Sequence, residues 1–236
     1  MSEQAVDHAP DQYQVILDES ITREGHQYQR VLIRTPWFHG PFDLVEAFRA
    51  GLKDYLGKGG TVFVSEKIAI VASGRTVSAS TIRVGRFAKF ASKYVRPIGV
   101  DLAQSIPERM QFVINRIGWP RTLLACAAAA VTRPFKIRGA FFVIAGREAR
   151  DLDGMHPPYL DTILPPFKPR EAQKYVNDLA ARLGNPVAIV DINDRGGHIR
   201  AVSPGGLPAA DLLRALKDNP MGHRDQSTGM GMVRKL

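Results

Sequence analysis

Residues 186–197 read P-V-A-I-V-D-I-N-D-R-G-G. A short apolar run closed by Pro on one side and Gly on the other predicts a buried strand. That strand carries Asp191 and Asp194, with Asn193 between them, onto a glycine-rich exit. Oxygen ligands at the end of a buried strand suit a hard cation. The same residue types also make the ordinary turn after a strand, because their side chains bond their own backbone and tolerate positive φ. Local sequence leaves both readings open.

The surrounding chain alternates strands and helices. Before the strand, residues 170–183 place Ala172, Tyr175, Val176, Leu179 and Leu183 at helical spacing, with Gly184 as the stop and Pro165, Pro166 and Pro169 as an extended spacer. After it, 208–217 predicts a short helix, 218–228 a polar loop and 230–236 a tail. Toward the N-terminus, 29–36 has strand character, and Pro41 with Asp43 opens a helix with Leu44, Val45, Phe48 and Leu52 inward. Residues 61–65 and 68–72 read as a strand pair or one long strand. Ser105 and Glu108 form a capping-box signature, with Pro107 at the first helical position and Met110, Val113 and Ile114 inward. An alanine-rich helix runs from Trp119 to about Val131. Residues 140–145 read as a buried strand, and a polar loop with Asp151, Asp153 and His156 follows. The pattern predicts an α/β or intermixed α+β fold, with one domain over 21–236 behind a flexible leader at 1–20.

Composition narrows the function classes. No run approaches the ~18 apolar residues of a bilayer span, and the polar first residues match neither a signal nor a transit peptide. The single cysteine, Cys126, cannot close an intrachain disulfide. These features favour the cytoplasm and no membrane partner. The formal charge is +9, and no acidic residue lies between Glu66 and Asp101. Arg83, Arg86, Lys89, Lys93 and Arg96 recur there at helical spacing, with Val84, Phe87, Phe90, Ala91 and Tyr94 on the other face. A solvated helix face accounts for most of these cations, and one or two suit the border of a phosphate site.

No Walker A loop, G-x-G-x-x-G, H-E-x-x-H, C-x-x-C or G-x-S-x-G occurs. Ser65-Glu66-Lys67, between two expected strands and followed by Gly74-Arg75, can bring a lysine point charge and an arginine fork to a phosphate. An exposed hairpin explains the same residues. The segment Asp218-Asn219-Pro220-Met221-Gly222-His223-Arg224-Asp225 offers Asp218, Asn219, His223 and Asp225 as polar ligands, and its Asn-Pro and Gly also simply make turns. The histidines are scattered, which argues against tetrahedral zinc.

Taken in order, V-S-E-K-I-A-I-V-A-S-G-R (64–75), G-W-P-R-T-L-L-A (118–125), F-F-V-I-A-G leading to D-L-D-G (141–154), the 186–197 stretch and D-N-P-M-G-H-R-D-Q-S-T (218–228) resemble the gamma-glutamyl ligases that extend the deazaflavin coenzyme F-420, in their ligase-like branch of unassigned substrate. The resemblance implies that family's fold, an intertwined homodimer, and a GTP-dependent amide ligase using magnesium or manganese. GTP would phosphorylate the terminal carboxylate of an acidic acceptor, and glutamate's amino group would attack the acyl phosphate. By motif position, Lys67 and Asp191 are catalytic. Asp191, Asp153 and Asp194 hold metal, while Lys67, Arg75 and Ser65 meet nucleotide phosphate. Asp218, Asn219, His223 and Asp225 line a substrate or nucleotide loop. Ile192 and then Asn193-Asp194-Arg195 stand where characterised ligases carry a threonine and then Gly-Arg, so Asp194 is the substitute ligand if Asp191 caps a turn.

Two other classes compete: a metal- and nucleotide-binding relative that has lost ligation, and a nucleic-acid module built on the basic helix. The last lacks interleaved aromatic platforms and ranks below the others. The ligase reading expects Asp191 and Asp153 within about 6 Å of each other around one cation, and Lys67 in the same cleft as Asp191.

Overall fold

The computed structural model describes residues 12–95, 105–137, 139–156, 159–194, 196–222 and 226–236. The chain forms two compact units, Met1–Gly74 with Phe167–Leu236, and Arg75–Pro166. The class is mixed α and β, with intermixed elements.

The first unit is built on a six-stranded sheet. Along the chain its strands are β1 (Gln14–Arg23), β2 (His26–Arg34), β3 (Thr61–Ser65), β7 (Val187–Asn193), β8 (Gly196–Val202) and β9 (Met230–Lys235), and in space they run β1-β2-β9-β3-β7-β8. Every pairing is antiparallel except β3 with β7, which sets Val62 opposite Val187 and Ser65 opposite Val190. A parallel pair cannot be joined by a hairpin and requires a crossover. Here the crossover begins with α2 (Glu66–Ala72), takes in the whole second unit and ends with α8 (Pro169–Leu183).

β3 and β7 are buried at consecutive positions, which requires cover on both faces. On one face, Phe63, Ala188 and Val190 join Tyr28, Leu32 and Val233 under Leu212 and Ala215 of α9 (Ala209–Ala215). Alternation sends Val62, Val64, Val187 and Ile189 to the opposite face. Along β7 and β8 runs α8, and α1 (Leu44–Leu52) packs on α8. The inward stripe of α8 is Ala172, Val176, Leu179 and Leu183, closed by Gly184 in the left-handed region. Asp43 caps α1 by accepting the Val45 N–H at 2.9 Å.

Three segments of this unit differ from the sequence reading. Residues 14–20, assigned to the leader, belong to β1, a largely exposed strand joined to β2 by a tight turn with Glu24 at φ 51° and Gly25 at φ 79°. Its polar residues are those of an edge strand with solvent on one side. Residues 68–72 are not a strand: Ser65 accepts the Ile68 N–H and starts α2 instead. Short apolar runs fit helix or strand alike. Residues 230–236, read as a tail, contain β9, which lies between β2 and β3 with Met230, Met232 and Val233 buried. Gly231 hid it, since glycine weakens a strand pattern. A Cβ there would run into the Val31 carbonyl oxygen and stand 2.7 Å from Phe63 Cζ.

The second unit holds a small antiparallel sheet, β4 (Val77–Ser78), β6 (Tyr159–Leu164) and β5 (Asp153–His156) in that spatial order. With it are α3 (Arg86–Ser92), α4 (Pro107–Ile117), α5 (Trp119–Thr132), α6 (Ala140–Ala145) and α7 (Arg147–Arg150). Val113, Ala125, Ala145, Ala149, Leu152 and Ile163 form its main core. Residues 140–145, expected as a buried strand, are helical. Gly139 at φ 87° and Gly146 at φ 85° close both ends, and only Ala145 of the run is buried. Pro107 does start α4, yet the cap position is Ile106 and no side chain fills it, so the capping box is not formed. Residues 153–156 pair with β6 where a loop was expected. Among the described residues no helix is long and apolar enough to cross a membrane.

Gly231→Ala should lower stability by about 1–3 kcal/mol or more, as overpacking of a filled core does. Denaturant unfolding should show an earlier midpoint with an unchanged slope. A loss below about 0.5 kcal/mol, the range of ordinary surface changes, would contradict the close packing assigned to β9.

Candidate functional site

The parallel pair brings the carboxyl ends of β3 and β7 to one edge of the sheet, the edge at which open α/β sheets hold ligands. Ser65 is the last residue of β3. Its N–H donates to the Gly229 carbonyl at 2.7 Å, and a Cβ on Gly229 would stand 2.6 Å from the Ser65 hydroxyl oxygen, so the strand before β9 lies close against it.

Glu66 follows, with its side chain only 8% exposed. Its Oε1 accepts the Phe167 N–H at 3.1 Å and its Oε2 accepts from Arg200 Nε at 2.6 Å. Arg200 projects from β8 with its side chain 5% exposed, and its NH2 donates to Asp191 Oδ2 at 2.8 Å. Asp191, on β7, is 44% exposed. One buried cation thus links a buried carboxylate on the β3 side to a solvent-facing carboxylate on the β7 side. Burial is the largest influence on Glu66 and pushes its carboxyl above the usual range. Arg200 opposes that rise and the Asp191 charge adds to it.

The other first-unit candidates divide into two groups. Asp194, in the turn after β7, accepts from Asn219 Nδ2 at 2.7 Å, and the same amide donates to the Gly222 carbonyl at 3.2 Å. Asn219 is buried in the left-handed region at φ 49°. The 186–197 stretch and the 218–222 loop therefore meet through a side-chain bond. Asp218, by contrast, is bound into a cation cluster, accepting from Arg23 NH2 at 2.9 Å and from the buried Arg30. Desolvation would raise its carboxyl, but the Arg30 bond and charge hold it below the usual range. It serves as an ion-pair partner of β1 and β2. Lys67 is half-buried at the second position of α2, and the Ser65 hydroxyl is engaged as that helix's cap.

Asp153 and Arg75 belong to the second unit. Asp153 lies at the start of β5, where its Oδ1 accepts the Gly154 N–H at 2.7 Å. His223 and Asp225 lie outside the described residues. Among the described residues no group of three or more His, Cys, Asp or Glu side chains is arranged to hold a metal. Within the first unit the candidate metal ligands are Asp191 and Asp194, and carboxylates suit a magnesium-type ion that takes its other ligands from phosphate and water.

Sequence reasoning overlooked Arg200 and assigned no role to Glu66. The signal was there in part: Glu66 follows directly on a strand with V-F-V at its centre, a buried acid there requires a partner, and the next strand in the chain after Asp191 supplies the arginine.

Compared with known proteins, no family model matches the chain and no curated protein matches it.

Because the folded state raises the Glu66 pKa, ionised Glu66 costs stability; the cost is absent below the unfolded pKa and complete above the folded one. Arg200 offsets it. Arg200→Met should therefore destabilise the protein by about 3–5 kcal/mol at neutral pH, the scale for breaking a buried pair. The deficit should shrink as the pH falls and Glu66 takes up a proton. Thermal unfolding of both proteins across pH measures this, and a deficit that grows on acidification would contradict it.

Proposed function

We propose that the carboxyl edge of β3 and β7 binds a nucleoside triphosphate with magnesium or manganese, and that the protein is a GTP-dependent ligase joining glutamate, or a similar amino acid, to an acidic acceptor. The observation that carries this reading is the Glu66–Arg200–Asp191 network. It fixes Asp191 by one oxygen while leaving the carboxylate open to solvent. A carboxylate held in this way is preorganised for a cation. Lys67, next to Glu66, supplies positive charge for a transferred phosphoryl group, and Asp194 supplies a second oxygen ligand near Asp191 in sequence.

On this reading the nucleotide phosphorylates the acceptor's carboxylate. The amine of glutamate then attacks the acyl carbon, forming the amide and releasing phosphate. The resemblance of the five ordered motifs to the deazaflavin-coenzyme ligases supports the same chemistry, and adds a homodimer working in the cytoplasm. A second reading is favoured by Arg200 itself. Since it already neutralises much of the Asp191 charge, the protein would bind metal and nucleotide without ligating.

A thermal-shift panel of GTP and ATP with and without manganese tests the site. Stabilisation should require the metal, and Lys67→Ala or Asp191→Ala should weaken nucleotide affinity by about ten- to a hundredfold, the worth of one charge-assisted contact. Glutamate-dependent release of phosphate separates the two readings. Wild-type protein indifferent to every nucleotide and divalent metal would overturn both.

A further inference from the structure

The second unit presents a surface that the site described above does not use. Residues 75–166 hold 14 Lys and Arg against 6 Asp and Glu, so they carry 8 of the chain's 9 net positive charges. Neither α3 nor α5 contains an acidic residue, and none lies between Glu108 and Glu148. The sequence reading places Phe90 and Tyr94 on the face of the helix away from the cations; they are 58% and 57% exposed, while the buried residues of α3 are Ala88, Ala91 and Ser92. In α5 only Thr122 and Ala125 are buried. Leu124 and Val131, seven residues apart and so on one helix face, are 61% and 67% exposed, and Phe135 just beyond is 72% exposed.

Each of the two helices leaves large apolar side chains exposed, and the helices touch. Phe87 on α3 meets Trp119 at the start of α5 with ring centroids 5.2 Å apart, and Phe90 meets Tyr94 at 4.9 Å. At the other end of α5, Arg133 donates to the Tyr94 carbonyl at 3.5 Å. Interleaved with the apolar side chains are Arg86, Lys89, Lys93, Arg121, Arg133 and Lys136. A large exposed apolar patch marks an interaction site, and the choice of partner follows from its charge.

We propose that the α3–α5 face docks on an anionic lipid bilayer surface, its aromatic and aliphatic side chains entering the headgroup region and its Lys and Arg meeting lipid phosphates. Helices with Trp, Phe and Leu beside Lys and Arg lie in the membrane interface without crossing it. The absence of an apolar span therefore does not bear on this surface. A second copy of the chain fits less well, because a two-fold contact would set these cations against themselves with no carboxylate on either helix. Nucleic acid would satisfy the cations and stack on the rings, but it offers nothing to Leu124 and Val131.

Co-sedimentation of the full chain with vesicles tests the proposal. The protein should pellet with phosphatidylcholine vesicles containing phosphatidylglycerol and stay in solution with phosphatidylcholine alone. Leu124→Asp with Val131→Asp should weaken partitioning roughly tenfold or more, and Lys89→Glu with Lys93→Glu should do the same. Both pairs should keep the wild-type thermal midpoint, since these positions lie outside the core. On a Trp37→Phe background, Trp119 fluorescence should shift to the blue when vesicles are added. Failure to bind the anionic vesicles would overturn the proposal. So would full binding by the Leu124/Val131 variant, loss of a dimer in sedimentation velocity caused by that variant, or displacement of the protein from vesicles by duplex DNA at equal phosphate.

Discussion

The fold of the first unit turns on the parallel pairing of β3 with β7 in a sheet that is otherwise antiparallel. Antiparallel neighbours are tied by short turns, as β1 is to β2 and β7 to β8. The parallel pair must be tied by a crossover, and that crossover contains the entire second unit. The same pairing makes both strands end at one edge of the sheet, so that Glu66 and Asp191 emerge on neighbouring strands. Two carboxylates brought together in this way repel, and one of them is buried. Arg200 resolves the conflict by donating to both. Removing Arg200 leaves the buried Glu66 carboxylate uncompensated beside Asp191, which costs more than the intact network contributes.

That arrangement also bears on what the edge can do. A carboxylate whose rotamer is fixed by a buried guanidinium loses little freedom on meeting a cation, so Asp191 is better prepared as a ligand than a mobile surface acid would be. The same guanidinium lowers the negative potential that a cation would feel. Asp194, tied to Asn219 from the last loop, extends the site to the segment that precedes β9. The edge is thus assembled from five separate stretches of chain: the ends of β3 and β7, the middle of β8, and the approaches to α8 and β9.

Much of this was legible from residues alone. Val187 to Val190 reads as a buried strand because four apolar residues stand between Pro and a polar exit, and α8 because its stripe keeps helical spacing up to Gly184. Two of the misreadings share a cause. Residues 68–72 and 140–145 are five- and six-residue apolar runs, a length at which period cannot separate helix from strand; the capping serine and the flanking positive-φ glycines decide them as helices. β1 was hidden by its exposure and β9 by Gly231, whose missing side chain reflects the close approach of β2 and Phe63. The site was legible only in its acids. Asp191 and Asp194 announce themselves at a strand end, whereas Arg200 looks like any arginine on an edge strand until β8 folds back beside β7. Asp218 looked equally functional in its loop, and only the fold assigns it to Arg23 and Arg30.

Charge separates the two units as clearly as topology does. The first is nearly neutral and buries its ions in pairs: Arg30 with Asp218, Arg200 with Glu66, and Asp211 with Arg214. The second holds most of the chain's excess of basic residues, and it leaves several large apolar side chains exposed.

The site at this edge depends on the electrostatic state of Glu66. Carbon-13 NMR titration of the side-chain carboxyls, assigned by comparison with Glu66→Gln, measures it directly. Glu66 should titrate above the usual carboxylate range, and Asp191→Asn should lower its midpoint by removing the neighbouring negative charge. A midpoint in the ordinary range that ignores Asp191→Asn would mean that the two carboxylates are not joined through Arg200, and the site built on that link would fall.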